Sequence, residues 1–221
     1  MRAQLVGANA GANVSATYLG GYWGAQSASD SNDSFTNKSF GEEDPNRVIV
    51  CAITVGTAST RTYTVTIGGV SATIVALAEE TGTVDAVSLI AYAAVPTGAT
   101  GSVVVSASGS FLGMGGFLYR LVAPNVQLDA TAVDTGASPS VGFTPAGPGV
   151  VIAVGRTTSS GSNPIWSGDV TLNETLPVAT GVGNEASAAW IEQSVGTTYS
   201  AGCSWTGGNV WSLSVASFLL Y

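Results

Sequence analysis

The sequence predicts an all-β protein, specifically a two-sheet antiparallel β-sandwich of jelly-roll type. Runs rich in Val, Ile, Thr and aromatic residues recur at short spacing along the 221 residues, separated by Gly, Pro and Asn. The segment TVTIGGVSATI (64–74) has two alternating runs joined by Gly68-Gly69, which is typical of a tight hairpin. Helical periodicity is nearly absent, and the one candidate is a turn or two at Ala76–Gly82.

Each predicted strand is a run of β-branched or aromatic residues bounded by turn-forming residues. A second hairpin is predicted at Gly207–Asn209. The predicted strands, in order, are Ser34–Phe40, Arg47–Val55, Thr62–Ile67, Ser71–Leu77, Ala86–Ala94, Gly101–Ser108, Gly116–Val122, Val126–Ala130, Val150–Thr157, Val170–Asn173, Ala186–Ser194, Tyr199–Thr206 and Val210–Leu220.

Comparing the sequence with itself reveals four similar blocks that occur twice in the same order, for example RVIVCAI (47–53) with GVVIAVG (149–155). This order indicates an internal duplication of a four-strand unit, with halves at about 47–122 and 149–221. Chance likeness between stretches rich in Val, Ala and Ser is the alternative. The paired blocks begin at Arg47 and Gly149, at Thr64 and Asp169, at Asp85 and Glu185, and at Gly115 and Ser214.

A four-strand sheet with one apolar face is not stable alone, so the two halves are expected to pack face to face. The expected result is one sandwich over Ser34–Tyr221, with residues 124–140 as the connection and with Val50 and Ile152 buried at equivalent positions. Two small tandem domains hinged near Pro139–Pro148 are the alternative.

The segment Met1–Asp33 differs in composition from the rest of the chain. It is rich in Ala, Gly, Asn and Ser, shows no sustained period, and carries Tyr18, Tyr22 and Trp23. A free linker does not need aromatic residues. We therefore expect an extended arm that docks on its own sandwich or on a neighbouring subunit, with a partly disordered terminus as the alternative.

Composition argues against several classes of protein. With no histidine, Ser-His-Asp catalysis and His-ligated zinc are excluded, and the single lysine, Lys38, is not in a phosphate-binding loop. A net charge of -8 disfavours nucleic-acid binding. No apolar run approaches the ~18 residues of a membrane span, and the start does not resemble a secretory signal. We expect a soluble non-enzymatic protein made in the cytoplasm, without a cofactor, a metal or a catalytic residue.

Motifs with chemical meaning are present only in weak forms. Gly181–Ala186 matches a dinucleotide-binding pattern by letters, but no βαβ unit surrounds it. Asp30–Asp33 offers oxygen ligands for Ca²⁺ without the Gly and distal Glu of an EF-hand, so a solvated loop is favoured. Carboxylate pairs for glycoside hydrolysis could be chosen among Glu174, Glu185 and Glu192, but nothing in the sequence singles out a pair.

Two tryptophans are the candidates for a ligand-binding role. Trp166 lies in the loop-like sequence SNPIWSGD, where an exposed indole face could stack on a sugar, and Trp23 is the second candidate. A Trp folded over the edge of the sandwich is the alternative. Trp190, Trp205 and Trp211 lie in strand patterns and are expected in the core.

Both cysteines, Cys51 and Cys203, lie in apolar strand-like runs. In a chain without an export signal, two buried free thiols are favoured over a disulfide.

The segments FTNKSFG (35–41), PNRVIV (45–50), TVTIGGVSAT (64–73) and VPTGATGSVVV (95–105) together resemble a pattern in small structural proteins of tailed phages and prophages, especially of alphaproteobacteria. The resemblance covers about Phe35–Val122 and implies a β-sandwich virion component without catalytic residues. It provides no functional residues to transfer. The arm rich in Ala, Gly and Asn departs from the pattern.

Two functions are therefore considered. The first is a capsid decoration or cement protein, a homo-oligomer on the phage head that contacts the major capsid protein or other virion proteins. Low charge, 9% of residues, suits a surface covered by neighbours. The second is a receptor- or carbohydrate-binding module of a tail tip or fibre, using Trp166 and Trp23.

Overall fold

The computed structural model describes residues 14–23, 30–82, 84–158, 165–176, 185–193, 196–204 and 211–221, with backbone only for 185–193. The all-β prediction is confirmed, because every element among these residues is a strand and every strand pair is antiparallel. The strands are β1 Ser15–Trp23, β2 Asn32–Ser39, β3 Arg47–Thr57, β4 Tyr63–Ile67, β5 Val70–Ser71, β6 Thr73–Glu80, β7 Asp85–Ala94, β8 Thr100–Ala107, β9 Gly113–Val122, β10 Val126–Thr135, β11 Ser140–Phe143, β12 Gly149–Thr157, β13 Ile165–Gly168, β14 Thr171–Leu176, β15 Glu185–Gln193, β16 Tyr199–Ser204 and β17 Trp211–Leu220.

These strands form four sheets, where the sequence predicted two. The first large sheet has the order β1-β9-β3-β7-β6 and the first small sheet the order β2-β8-β4-β5. The second large sheet has the order β10-β17-β12-β15-β14 and the second small sheet the order β11-β16-β13. Each half of the chain therefore contributes two sheets rather than one.

Three apolar cores lie between the sheets. The central core joins the large sheets through residues such as Val50, Phe117 and Ile152. A first outer core lies between the first large and first small sheets, and a second outer core between the other pair. All residues of β3 and β12 are buried, because both large sheets are covered on both faces. Nearly continuous apolar runs such as RVIVCAITV are typical of strands buried on both sides.

The chain repeats one strand order twice, as its self-comparison predicted. β3 and β12 are the central strands of the two large sheets, and Val50 and Ile152 are both fully buried, so this prediction is confirmed. The blocks beginning at Asp85 and Glu185 also fall on equivalent strands, β7 and β15. The block pair at Thr64 and Asp169 is wrong, because Thr64 lies in β4 and the equivalent of β4 is β13.

The turn between β4 and β5 confirms the predicted hairpin. Gly68 and Gly69 have φ values of 60° and 81°, and Ile67 pairs with Val70. Positive φ at both central positions is the conformation that two glycines adopt without strain. The chain then leaves the first small sheet and joins the first large sheet as β6.

The helix expected at Ala76–Gly82 is wrong, since most of this segment belongs to β6. Ala76 and Ala78 are buried and alternate with Leu77, which is 37% exposed. The residues pair with β7 in register, with Ala76 opposite Ile90. Sheet pairing therefore overrides the helical propensity of the sequence ALAEE.

The expected arm Met1–Asp33 is not a separate element where the structure describes it. β1 pairs with β9 from Ser15 opposite Val122 to Trp23 opposite Gly115, so this part docks on its own sandwich. Asn32 already belongs to β2. Residues 1–13 and 24–29 lie outside the described ranges.

The connection expected at residues 124–140 is also corrected. Residues Val126–Thr135 form β10, an edge strand of the second large sheet. The alternative hinge region Pro139–Pro148 contains β11. Each half has an outer core of its own, and the two large sheets also share the central core. The hairpin predicted at Gly207–Asn209 lies outside the described residues. No described helix is long and apolar enough to cross a membrane.

Candidate functional site

Polar side chains collect at one end of the first outer core. Thr57, at the end of β3, lies opposite Asp85, at the start of β7. Glu79 in β6 lies opposite Val87, which places it diagonally to Asp85 on the same sheet face. Tyr63 projects from the first small sheet into this core, and Arg61 precedes it. We call these five residues the Asp85 cluster.

The Asp85 cluster is enclosed and incompletely hydrogen bonded. Asp85 is 2% exposed; its Oδ1 accepts a hydrogen bond from the Gly82 N–H at 2.8 Å, whereas its Oδ2 has no partner. Glu79 Oε1, Arg61 Nε and the Tyr63 hydroxyl are also buried without a partner. The neighbouring Thr57 hydroxyl donates to the Ser59 carbonyl at 2.9 Å. Native proteins leave few buried polar atoms unpaired, so this group requires an explanation.

The charges of the cluster act on one another. Burial and then the Asp85 carboxylate raise the pKa of Glu79, and the backbone N–H and guanidinium of Arg61 oppose this. Burial and then Glu79 raise the pKa of Tyr63. Beyond the cluster, burial lowers the pKa of Arg156 to about 9, partly opposed by Tyr63. Two carboxylates and one guanidinium leave the cluster acidic, a suitable environment for a small cation.

This site was missed at the level of sequence because Glu79 falls in the expected helix and Asp85 falls just before the predicted strand Ala86–Ala94. The usable signal was local: Glu79 and Asp85 flank a short turn at Gly82, and two strands joined by a tight turn bring such residues together.

The two tryptophan candidates lie far apart in the stack of sheets. Trp23 packs against the central core, and its indole lies over Gly115, where an added Cβ would be 3.2 Å from the ring. Trp166 lies in β13, half-buried against the second outer core and opposite Cys203. The second large sheet separates the two cores, so the two indoles do not form one site.

Among the other expected core tryptophans, Trp211 is 5% exposed, which confirms its prediction. The side chain of Trp190 and all of Trp205 lie outside the description.

The remaining sequence candidates do not assemble into a catalytic or metal centre within the described residues. Glu174 is engaged by Tyr18 and Gly21, and the side chains of Glu185 and Glu192 are outside the description. The described residues contain no group of three or more His, Cys, Asp or Glu able to hold a metal ion, and this includes Asp30–Asp33. Most of Gly181–Ala186 is outside the description.

The thiol prediction is confirmed, because Cys51 and Cys203 are free and buried. Burial raises the pKa of both thiols. A thiol with a raised pKa forms little thiolate at neutral pH and is a poor nucleophile.

One buried cation has a structural role at the opposite end of the first outer core. Arg47 is 1% exposed, and its guanidinium donates to backbone carbonyls only. These contacts tie the loop after β2 to the loop after β7. The accepting carbonyls belong to Val95, Phe40, Gly41, Glu42, Thr97 and Gly98, at 2.6 to 3.4 Å.

Comparison with protein-family models, with curated proteins and with solved structures gives no match for this chain.

Proposed function

We propose that the protein is a non-enzymatic structural component of a tailed-phage particle, a decoration or cement protein on the outside of the head. In this role it acts as a homo-oligomer and contacts the major capsid protein or other virion proteins. It is assembled into the virion in the host cytoplasm.

The repeated strand order is the observation that carries this proposal. In the first half, the large sheet contains the neighbours β1-β9-β3 and the facing small sheet contains β2-β8-β4. In the second half, the corresponding neighbours are β10-β17-β12 and β11-β16-β13. This order supports the assignment of each half as a jelly roll, an architecture found in viral capsid and lectin domains. Two such units joined by a shared apolar core would present sheet faces to neighbours on a repetitive surface.

The outward face of the first small sheet supports a docking role. Thr64 lies opposite Ser106 on this face, and Thr66 lies opposite Val104. A hydroxyl-rich surface can be covered by a neighbouring protein without the cost of desolvating charged side chains. The low charge of the whole chain, 9% of residues, is in keeping with this.

The sequence resemblance agrees with the boundaries of the first half. The similar segment, about Phe35–Val122, runs from within β2 to the end of β9. It therefore covers the first large and first small sheets except for β1 and the start of β2, so the resemblance extends over most of the first half rather than over an isolated motif.

A receptor- or carbohydrate-binding role in the tail is the second candidate, and one observation favours it. Ile165 is 61% exposed beside the half-buried Trp166, and both lie in β13, at one edge of the second small sheet. Successive strand residues point to opposite sheet faces, so the stacking surface for a sugar would be Trp166 alone, whose indole remains partly exposed at this sheet edge.

Copy number and position in purified particles test the proposal. We expect hundreds of copies by quantitative mass spectrometry and additional density over the head by cryo-electron microscopy. Particles lacking the protein should release DNA at a lower temperature, and adding back purified protein should restore the release temperature, because binding only to the assembled shell stabilises it.

A different distribution would support the second candidate. A few copies located only at the tail would contradict the decoration role. Trp166→Ala would then be expected to reduce adsorption to host cells, with Tyr221→Ala, at an exposed aromatic residue away from β13, as the control.

A further inference from the structure

The Asp85 cluster places two carboxylates on one enclosed face at the end of the first outer core. The register fixes this arrangement: Asp85 is opposite Thr57, and Glu79 is diagonal to Asp85. Diagonal neighbours on one sheet face lie about 7–8 Å apart at the backbone, so two acidic side chains can converge on a shared ion. This site is independent of the proposed role in a phage particle.

Buried oxygen atoms without partners point to a missing ligand. Asp85 is 2% exposed and Tyr63 9% exposed, yet Asp85 Oδ2 and the Tyr63 hydroxyl have no hydrogen-bond partner. Glu79 Oε1 is likewise enclosed and unpaired. A buried carboxylate oxygen that faces another carboxylate is destabilising unless a donor or a cation compensates for it.

Arg61 supplies only part of that compensation: its backbone N–H and its charge oppose the rise in the pKa of Glu79, but Asp85 Oδ2 and Glu79 Oε1 remain without a hydrogen-bond partner. The Arg61 guanidinium lies over the backbone of Gly109, where an added Cβ would be 2.8 Å from Nη2, and its Nη1 donates to the Thr60 carbonyl. The guanidinium is thus directed toward the surrounding loops. With two carboxylates and one guanidinium, the cluster retains a charge of about −1 when all three groups are ionised.

The donor chemistry selects the kind of ion. All the unpaired acceptors are oxygen atoms, and the cluster has no histidine or cysteine, so soft transition metals are disfavoured. Mg²⁺ demands near-ideal octahedral geometry, whereas Ca²⁺ accepts mono- or bidentate carboxylates in flexible geometry at about 2.3–2.6 Å, with backbone carbonyls or waters completing its roughly six to eight ligands. We propose that the Asp85 cluster binds Ca²⁺ through the carboxylates of Glu79 and Asp85.

Binding should be weak, because only two carboxylates take part. Sites with few charged ligands bind Ca²⁺ with dissociation constants of about 0.1–1 mM. At that affinity, bound Ca²⁺ would stabilise the end of the first sandwich only where calcium is abundant, as outside cells.

The full-length protein, treated with a chelator and then freed of it, can be titrated with Tb³⁺, whose luminescence is excited through a nearby tyrosine such as Tyr63. We expect a saturable signal that Ca²⁺ displaces and Mg²⁺ does not. Thermal unfolding should shift upward by several degrees between chelator and about 10 mM CaCl₂, well above the expected dissociation constant.

Three variants locate the ion. Asp85→Asn keeps the Oδ1 acceptor for the Gly82 N–H and so preserves the local fold, but it removes one ligand charge. Glu79→Gln removes the other. Each should weaken displacement of Tb³⁺ by Ca²⁺ at least about tenfold. Glu80→Gln is the matched control, since Glu80 is the next residue of β6, points to the opposite sheet face and should leave binding within about twofold.

Far-ultraviolet circular dichroism of each variant verifies that the fold is retained. The proposal is overturned if the wild-type protein shows no Ca²⁺-displaceable Tb³⁺ signal and no thermal shift. Equal loss of binding in Glu79→Gln and Glu80→Gln would also overturn it, because it would indicate general surface charge rather than this cluster.

Discussion

The carboxylate of Glu174, in the second half of the chain, accepts a hydrogen bond from the Tyr18 hydroxyl in the first half at 2.5 Å. The Gly21 N–H donates to the same oxygen at 2.9 Å. These contacts join β1 to β14 across the central core. On another side of this core, Ser214 accepts a hydrogen bond from the Ala78 N–H at 3.1 Å and donates to the Ser88 carbonyl at 2.8 Å. Polar bonds therefore align two large sheets whose contact is otherwise apolar.

Removing the Tyr18 hydroxyl should destabilise the contact between the halves. Tyr18→Phe leaves the Glu174 carboxylate with one donor fewer in a partly buried site, which should lower the free energy of unfolding by about 1–3 kcal/mol. Urea denaturation measures this. The control is Tyr221→Phe, which removes a phenol hydrogen bond to Gln127 from a residue that is 50% exposed and should cost less than about 0.5 kcal/mol. If both variants lowered the free energy of unfolding equally, the Tyr18–Glu174 hydrogen bond would contribute no more to stability than an exposed one.

Replacement of Arg47 by lysine should destabilise the protein, because the guanidinium binds a set of backbone carbonyls that we call the carbonyl cage. An ammonium group cannot reach carbonyls on both loops, whereas the guanidinium donates to Val95 through Nε and to Thr97 and Gly98 through Nη2. Arg47→Lys should therefore cost more than about 3 kcal/mol of stability. Hydrogen exchange should become faster in residues 40–46 and 95–99.

The control for this variant is Arg120→Lys. Arg120 makes a single exposed bond to the Glu42 carbonyl at 3.1 Å, so its replacement should cost less than about 1 kcal/mol. A similar small loss for Arg47→Lys would contradict the structural role assigned to the cage.

Gly101 should not tolerate a side chain. An added Cβ would overlap the ring of Phe40, which is fully buried, so Gly101→Ala should destabilise the protein by about 1–3 kcal/mol. Gly142→Ala is the matched control, because this strand glycine has no atom closer than 3.9 Å to the added Cβ. It should be neutral or slightly stabilising, since alanine restricts the unfolded chain. Thermal unfolding of the two variants in parallel distinguishes these outcomes.

Stability should fall at alkaline pH. Burial raises the pKa of Cys51 and Cys203 above the ordinary 9.0, and that of Tyr18 and Tyr119 above the ordinary 10.0. Above those ordinary values the unfolded chain loses protons that the folded chain keeps, so the free energy of unfolding decreases as pH rises. The contribution is fully present below pH 9.

Urea midpoints measured from pH 7 to 11 test this. They should be constant to about pH 8.5 and then decline. In the double variant Cys51→Ala/Cys203→Ala the decline should begin about one pH unit later, because the raised pKa values that remain belong to tyrosines, and deprotonation of Arg156, whose pKa burial lowers to about 9, acts in the opposite direction. A constant midpoint up to pH 11 would contradict the prediction.

The two thiols should be protected in the folded state. Cys51 is 0% and Cys203 2% exposed, so a thiol reagent should react with the native protein at least about 100-fold more slowly than with the denatured protein. Denatured protein should release two equivalents of free thiol. Finding none would indicate a disulfide.

Local pattern in the sequence was sufficient to predict most strands. The apolar runs of β3 and β12, the Gly68-Gly69 turn and the two buried cysteines follow from neighbouring residues alone, because alternation, β-branching and glycine act over a few positions. The repeat was also visible, since equivalent strands retain similar apolar residues.

The number of sheets was decided by tertiary packing. A strand such as β3 forms whether one or both of its faces are covered, and only the second large sheet, opposite Val50, determines that both are. Tertiary packing also decided β1: its sequence has only a weak strand pattern, and it forms a strand because it pairs with β9. Ala76 and Ala78 favour a helix locally but lie in a strand because they pair with β7. The Asp85 cluster likewise exists only where β3, β4, β6 and β7 meet. Glu79 and Asp85 flank one short turn, but Tyr63 comes from another sheet, and burial without partners is a property of the assembled fold.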